Sequence, residues 1–190
     1  MFGWFSDVRV KAQSISLAIL DAQTALKGSR RAPLSDLWSS IKQRSADDAM
    51  VQMVLQAVPI EAINKGVSSL DELRSTFRTM EAAAREGSLL SESSHPNNVW
   101  ANASARFFSW FLLRQHGNVT GMEDEAILAR AKLHVDKGDV RVALAELARL
   151  SPLARQRSER WAEQARQRVL VEQTLLAAQA HIAVLTAQLS

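Results

Sequence analysis

Residues 123–175 read EDEAILARAKLHVDKGDVRVALAELARLSPLARQRSERWAEQARQRVLVEQTL, and their punctuation decides the fold. Thr120 and Glu123 have the T-x-x-E spacing of a capping box, which satisfies orphan amides at a helix start. Gly138 can take the left-handed conformation that ends this helix, and Asp139 can cap the next one. Ser151-Pro152 opens a third helix, with proline at the first helical position, where its missing N–H costs nothing. The pattern predicts a helical hairpin followed by one long helix. Helices pinned by short turns make a packing scaffold, and scaffolds act through their faces.

Composition supports a helical reading of the rest. With 190 residues the chain is long enough for one domain with a real core and short for two. Seven Gly, four Pro and no Tyr, with Ala, Leu, Arg and Gln abundant, favour helix over sheet. Cysteine is absent, which excludes disulfides and thiolate metal sites. No uninterrupted run of about 18 apolar residues occurs, so no segment is expected to span a bilayer. A net charge of +3 favours acidic surfaces only weakly.

Outward from the decisive stretch, Val8, Ala12, Ile15, Ile19, Ala22 and Leu26 recur at helical spacing and predict a first helix to Lys27. Short helices are expected over 34–44, from Asp47 or Asp48 to before Pro59, and over 59–65, the last stopped by Gly66. Ser69 and Glu72 form a second capping box, opening a helix through about Arg85. Residues 86–98 read as the longest loop, rich in Ser, Asn and Pro. Residues 100–116 read as an aromatic helix. The expected fold is all-α: one irregular bundle over residues 1–190, with a helical hairpin, a long C-terminal helix, and residues 1–14 as an amphipathic extension.

The order of these pieces resembles the mitofilin domain. The Ala126–Leu150 stretch is similar to that family's late motif: an "ILARA" helix, a Gly-Asp turn and an "ALAEL" helix. Ser151-Pro152, Trp161 and Arg166-Gln167-Arg168 match the linker, tryptophan and basic stretch that follow. Residues 15–28 resemble the family's opening helix and glycine stop. Leu34–Lys42 is similar to its next helix, and Val58-Pro59, Glu61-Ala62, Gly66-Val67, Leu73 and Phe77 follow its later spacing. The resemblance implies a role in organising inner-membrane architecture at crista junctions, on the intermembrane-space side, with self-association and a small CHCH-domain partner. Family members usually carry a presequence, a membrane span and a coiled coil before this domain. Here the chain starts almost at the domain, which implies either an excised piece or a shortened relative held in place by other proteins. An accessory subunit of a large respiratory or inner-membrane complex is the second reading. Peripheral attachment to the mitochondrial inner membrane follows from the first two, with the bacterial periplasm as the alternative compartment.

Candidate contact residues fall into four groups. Phe2, Trp4 and Phe5, beside Arg9 and Lys11, form an amphipathic membrane contact, the docked start of a core helix, or a remnant of a targeting sequence. Trp100, Phe107, Phe108 and Phe111 share one helical face, whereas Trp110 points elsewhere and is a partner-contact candidate. Arg157 and Arg160 flank Trp161 and, with Arg168, line a face: either solvated, or a dock for an acidic partner or phospholipid headgroups. Val171, Leu175, Ala178, Ile182 and Leu185 keep a 4-3 spacing suited to a coiled-coil contact, which adds Leu175 and Ile182 to the candidates. Leu176, Ala180, Ala183 and Val184 add a second apolar side, so the helix is covered twice: once by its own domain, and again by a second copy, by a partner, or by burial in the same bundle. For Trp161, Arg160 and Leu175 the resemblance implies a part in assembly.

Chemistry is not expected. His95, His116, His134 and His181 share no ligand spacing, and no phosphate-binding loop or nucleophile elbow occurs. The reading is therefore a non-enzyme with no metal and no cofactor. Nucleic acid is excluded as a partner, because acidic residues interrupt the basic stretch and no recognition motif accompanies it.

Overall fold

The computed structural model describes residues 2–92 and 123–188, with side chains over 7–88 and 123–188. Eight helices are described: α1 (Phe2–Leu26), α2 (Ser35–Arg44), α3 (Ala49–Gln56), α4 (Ile60–Lys65), α5 (Leu70–Glu92), α6 (Asp124–Lys137), α7 (Val140–Leu147) and α8 (Pro152–Gln188). No strand occurs among the described residues. The protein is all-α, and its last helix, of 37 residues, is the longest. The chain groups into two compact units, Met1–Glu72 with Gln164–Ser190, and Leu73–Glu163.

In the first unit the local signals act as the sequence predicts. Asp48 caps α3, its Oδ1 accepting from the Val51 amide at 3.0 Å. Ser69 and Glu72 form a reciprocal box at the start of α5. Ser69 Oγ accepts from the Glu72 amide at 3.1 Å, and Glu72 Oε2 accepts from the Ser69 amide at 3.2 Å. Gly66 ends α4 at φ 72°, and a Cβ built there would lie 2.2 Å from the Ala32 carbonyl oxygen. No L side chain fits that joint without moving backbone. Beside it, the Leu34 amide donates to the Ile63 carbonyl at 2.9 Å, which seats the 27–34 link on α4.

The core of this unit follows from helical spacing. Ile15, Ile19, Ala22 and Leu26 recur on one side of α1, and all are buried. They cluster with Trp38 and Ile41 of α2, Val51 and Leu55 of α3, Ala62 and Ile63 of α4, and Val171, Leu175, Ala178 and Ile182 of α8. Each large side chain fully buried here contributes roughly 1.5–3 kcal/mol.

The second unit is built on the hairpin. Gly138 takes φ 88°, ψ 4° at the end of α6. The amide of Asp139 returns to the His134 carbonyl at 2.8 Å and that of Gly138 to Val135 at 3.0 Å, the paired closure of a left-handed helix end. Arg74 of α5 reaches the same helix end, donating to the carbonyls of Val135 at 3.3 Å and Asp136 at 3.0 Å. Ser151, just before α8, donates from its amide and hydroxyl to Asp124 at 2.9 and 2.6 Å, which ties the two ends of the hairpin together.

Four expectations need correction. Glu123 is the N-cap of α6 rather than its third residue, so it closes no capping box there; Thr120 lies outside the described residues. Asp139 holds the cap position of α7 without a side-chain bond, and its carbonyl instead accepts from Val142 and Ala143. Helix α5 continues through Glu92, where a loop was expected from residue 86. Gly87 lies inside this helix and against α8, where a Cβ would come within 3.2 Å of the Ala154 amide nitrogen. Finally, α8 contains a stretch long and apolar enough to cross a membrane by length and composition. Counting only unbroken apolar runs misses it, because Glu172, Gln173, Gln179 and His181 interrupt the run. A core helix passes the same test, and the buried stripe of this segment is core. The expected aromatic helix over 100–116 lies outside the described residues.

Candidate interaction site

Helix α8 presents three chemically different faces, and their placement follows from its residue spacing. Positions 154, 161, 168, 175 and 182 repeat every seven residues, and all five side chains are buried. Within the second unit, Trp161 is 3% exposed. Its indole Nε1 donates to the Leu73 carbonyl at 3.0 Å, and its ring meets Phe77 edge-to-face at 5.1 Å between centroids.

Within the first unit, Arg168 is 2% exposed. Its Nη1 donates to the Ser68 carbonyl at 2.9 Å and its Nη2 to the Leu26 carbonyl at 3.1 Å. Glu172 Oε1, one turn on, lies 2.8 Å from Nη2 and balances the charge. Leu26 is the last residue of α1, which has no basic residue in its own last turn. Arg168 therefore supplies the positive group that a helix C-terminus favours. This role was missed in the sequence reading, which placed Arg168 on a cationic face with Arg157 and Arg160. The signal was available: Arg168 falls in the seven-residue register of Trp161, Leu175 and Ile182.

The candidate residues thus separate. Trp161, Leu175 and Ile182 are interior, so their side chains are engaged inside their own units and the 4-3 seam from Val171 is core. Arg157 and Arg160 are exposed. Trp110 lies outside the described residues. Phe2, Trp4 and Phe5 belong to α1 by backbone, but their side chains are not described. The second apolar side of α8 is at the surface, with Leu176 62% and Val184 56% exposed.

Charge elsewhere serves the fold. In the second unit Arg85 lies between Glu81, at 2.8 Å, and Glu125, at 3.0 Å. Burial pushes the Glu125 carboxyl above the usual carboxylate range, against the attraction of Arg85. His181 Nε2 lies 3.1 Å from Asp48 Oδ2, the carboxylate that caps α3. Among the described residues no group of three His, Asp or Glu side chains could hold a metal ion.

This order of helices, with its Gly-Asp turn and its tryptophan early in a long final helix, can be set against known proteins. The family model for mitofilin, described as a mitochondrial inner membrane protein, matches residues 6–183. The chain belongs to the mitofilin family. Among curated relatives, a MICOS complex subunit MIC60 from Yarrowia lipolytica is 28% identical over 166 residues, covering 87% of this chain and 29% of that protein. The MICOS complex subunit mic60 of Sclerotinia sclerotiorum is 28% identical over 175 residues, covering 92% of this chain and 26% of its own length. That of Paracoccidioides brasiliensis is 25% identical over 176 residues, covering 91% and 25%. The chain spans about a quarter of the length of these relatives. No solved structure matches.

Proposed function

We propose that this chain is a non-catalytic scaffold of the mitochondrial inner membrane, working in a MICOS-type complex that organises crista junctions. The carrying observation is the family match across nearly the whole chain, from residue 6 to 183. The fold supports it. Side chains capable of chemistry, such as Glu125 and His181, are paired with groups of neighbouring elements in their own units, whereas α8 keeps a cationic band (Arg157, Arg160) and an apolar stripe (Leu176, Val184) at the surface. Such faces suit protein partners, the cationic band an acidic one or phospholipid headgroups. We place the chain peripherally on the intermembrane-space side, with self-association and a small CHCH-domain protein as its contacts.

The test is the migration of the tagged chain from gently solubilised mitochondria on native gels. Co-migration with MICOS subunits, and loss of crista junctions on its depletion, is the expected result. Stable co-migration with a respiratory complex instead would replace this reading with that of an accessory subunit.

A further inference from the structure

All the sulfur of this chain is thioether. It has five Met and no Cys, so no thiolate competes for an oxidant. Among the described side chains the methionines are Met50, Met53 and Met80, and the fold treats them unequally. Met53 is 65% and Met50 41% exposed, whereas Met80 is 6% exposed. We propose that Met50 and Met53 form a paired, reversible oxidation site, which takes one peroxide oxygen at each sulfur while the fold stays intact.

The build of α3 carries the argument. Met50 and Met53 are three residues apart on a helix, which sets them on one face, one turn apart. The two residues between them hold the helix in place. Val51 is buried, and its amide donates to the capping Asp48 carboxylate at 3.0 Å. Gln52 Nε2 donates to the Lys42 carbonyl at 2.9 Å and to the Ser45 carbonyl at 3.0 Å. Leu55, one turn further on, is buried as well. The inner side is thus fixed by groups that peroxide does not attack, and the outer side carries both sulfurs.

At each sulfur the step is a two-electron oxidation. A sulfur lone pair attacks one oxygen of hydrogen peroxide, the O–O bond breaks and the S–O bond forms. The proton on the transferred oxygen passes to the departing hydroxide, which leaves as water. Sulfur is oxidised, peroxide is reduced, and the chain gains one oxygen atom per event. Met50, Met53, Ala57 and Ile60 are all exposed, so two sulfoxides turn half of this set from apolar to polar without entering the core. At Met80 the same product would put a polar group among buried neighbours, so oxidation there requires the fold to open first. Sulfoxides at the surface also stay within reach of the two methionine sulfoxide reductases, one for each epimer.

The experiment treats the folded full chain with hydrogen peroxide and follows its tryptic peptides by mass. Residues 45–65 hold Met50 and Met53 and no other methionine, and residues 79–85 hold Met80 alone. Peptide 45–65 is expected to gain its two oxygens on the order of tenfold faster than 79–85 gains one. Helicity and the urea midpoint should stay those of the parent at that stage, and the two reductases should restore the original mass of 45–65 without denaturant. Equal rates in the two peptides would overturn the proposal, as would sulfoxides in 45–65 that are reduced only after unfolding. Met50→Leu with Met53→Leu conserves volume and is the control for damage elsewhere. A fall in midpoint on oxidation of the parent that this variant does not share would also overturn the site. None of these outcomes alters co-migration with MICOS subunits, so the scaffold reading stands or falls separately.

Discussion

At position 161 the inward stripe of α8 offers an indole to the second unit; at 168, two turns later, it offers a guanidinium to the first. Both groups donate to backbone carbonyls of the unit they are buried in. Trp161 satisfies one, that of Leu73, and fills the rest of its space with an edge-to-face contact on Phe77. Arg168 satisfies two, those of Leu26 and Ser68, and needs Glu172 to balance its charge. The indole stabilises mainly by buried area, the guanidinium mainly by hydrogen bonding. The same register thus serves two unlike purposes on one helix.

The largest effect should come from removing the aromatic side. Trp161→Ala is expected to cost about 3–5 kcal/mol, chiefly through the cavity it leaves, measured by urea unfolding. Trp161→Phe separates the two contributions, since it keeps the ring contact and should lose only about 1–2 kcal/mol. Next comes Arg168→Met, which leaves the Leu26 and Ser68 carbonyls without their donor and is expected to cost about 2–3 kcal/mol. Glu172, which is 42% exposed, remains hydrated in that variant. A loss under half of that range would mean the charge is balanced by its own desolvation cost and the contrast between the two positions is wrong.

Two smaller effects sharpen the comparison between the inner and outer sides of α8 and between its two units. Leu176→Ser, on the outward stripe, should leave the stability of the dilute chain within about 0.5 kcal/mol of the parent. Glu125→Gln should give the smallest change, and one that depends on pH. Burial raises the Glu125 carboxyl in the folded chain, so the folded state holds its proton more tightly than the unfolded one. Acidification through that raised pKa therefore relieves a cost that is fully present above it. The variant should melt slightly higher than the parent near neutral pH, and the difference should shrink as pH falls.

Much of this fold is legible because short-range signals determine it. Asp48, Ser69 with Glu72, Gly138 and Pro152 each mark a helix end whose geometry depends on a few neighbouring residues. The core stripe of α1 is equally legible, since spacing alone places Ile15, Ile19 and Ala22 on one side. The misses share a different cause. Arg168 was taken as surface because arginine usually is, and only its distant partners, Leu26 and Ser68, make burial affordable. Residues 86–92 looked like loop for their Ser-rich composition, and the close approach of Gly87 to the backbone at Ala154 is 67 positions away in sequence. Leu175 and Ile182 were chosen as contacts for their periodic apolar spacing, which is also what a core selects.

The joint at Gly66 has a consequence for chirality. With φ 72° and ψ 167° the backbone there is close to the mirror image of an ordinary extended L residue, and one of its two hydrogens faces the Ala32 oxygen. The stereochemistry of the twenty coded residues therefore leaves a single usable member at this point. Drift in the sequence can reshape the helices on either side of the joint, while the joint itself stays achiral.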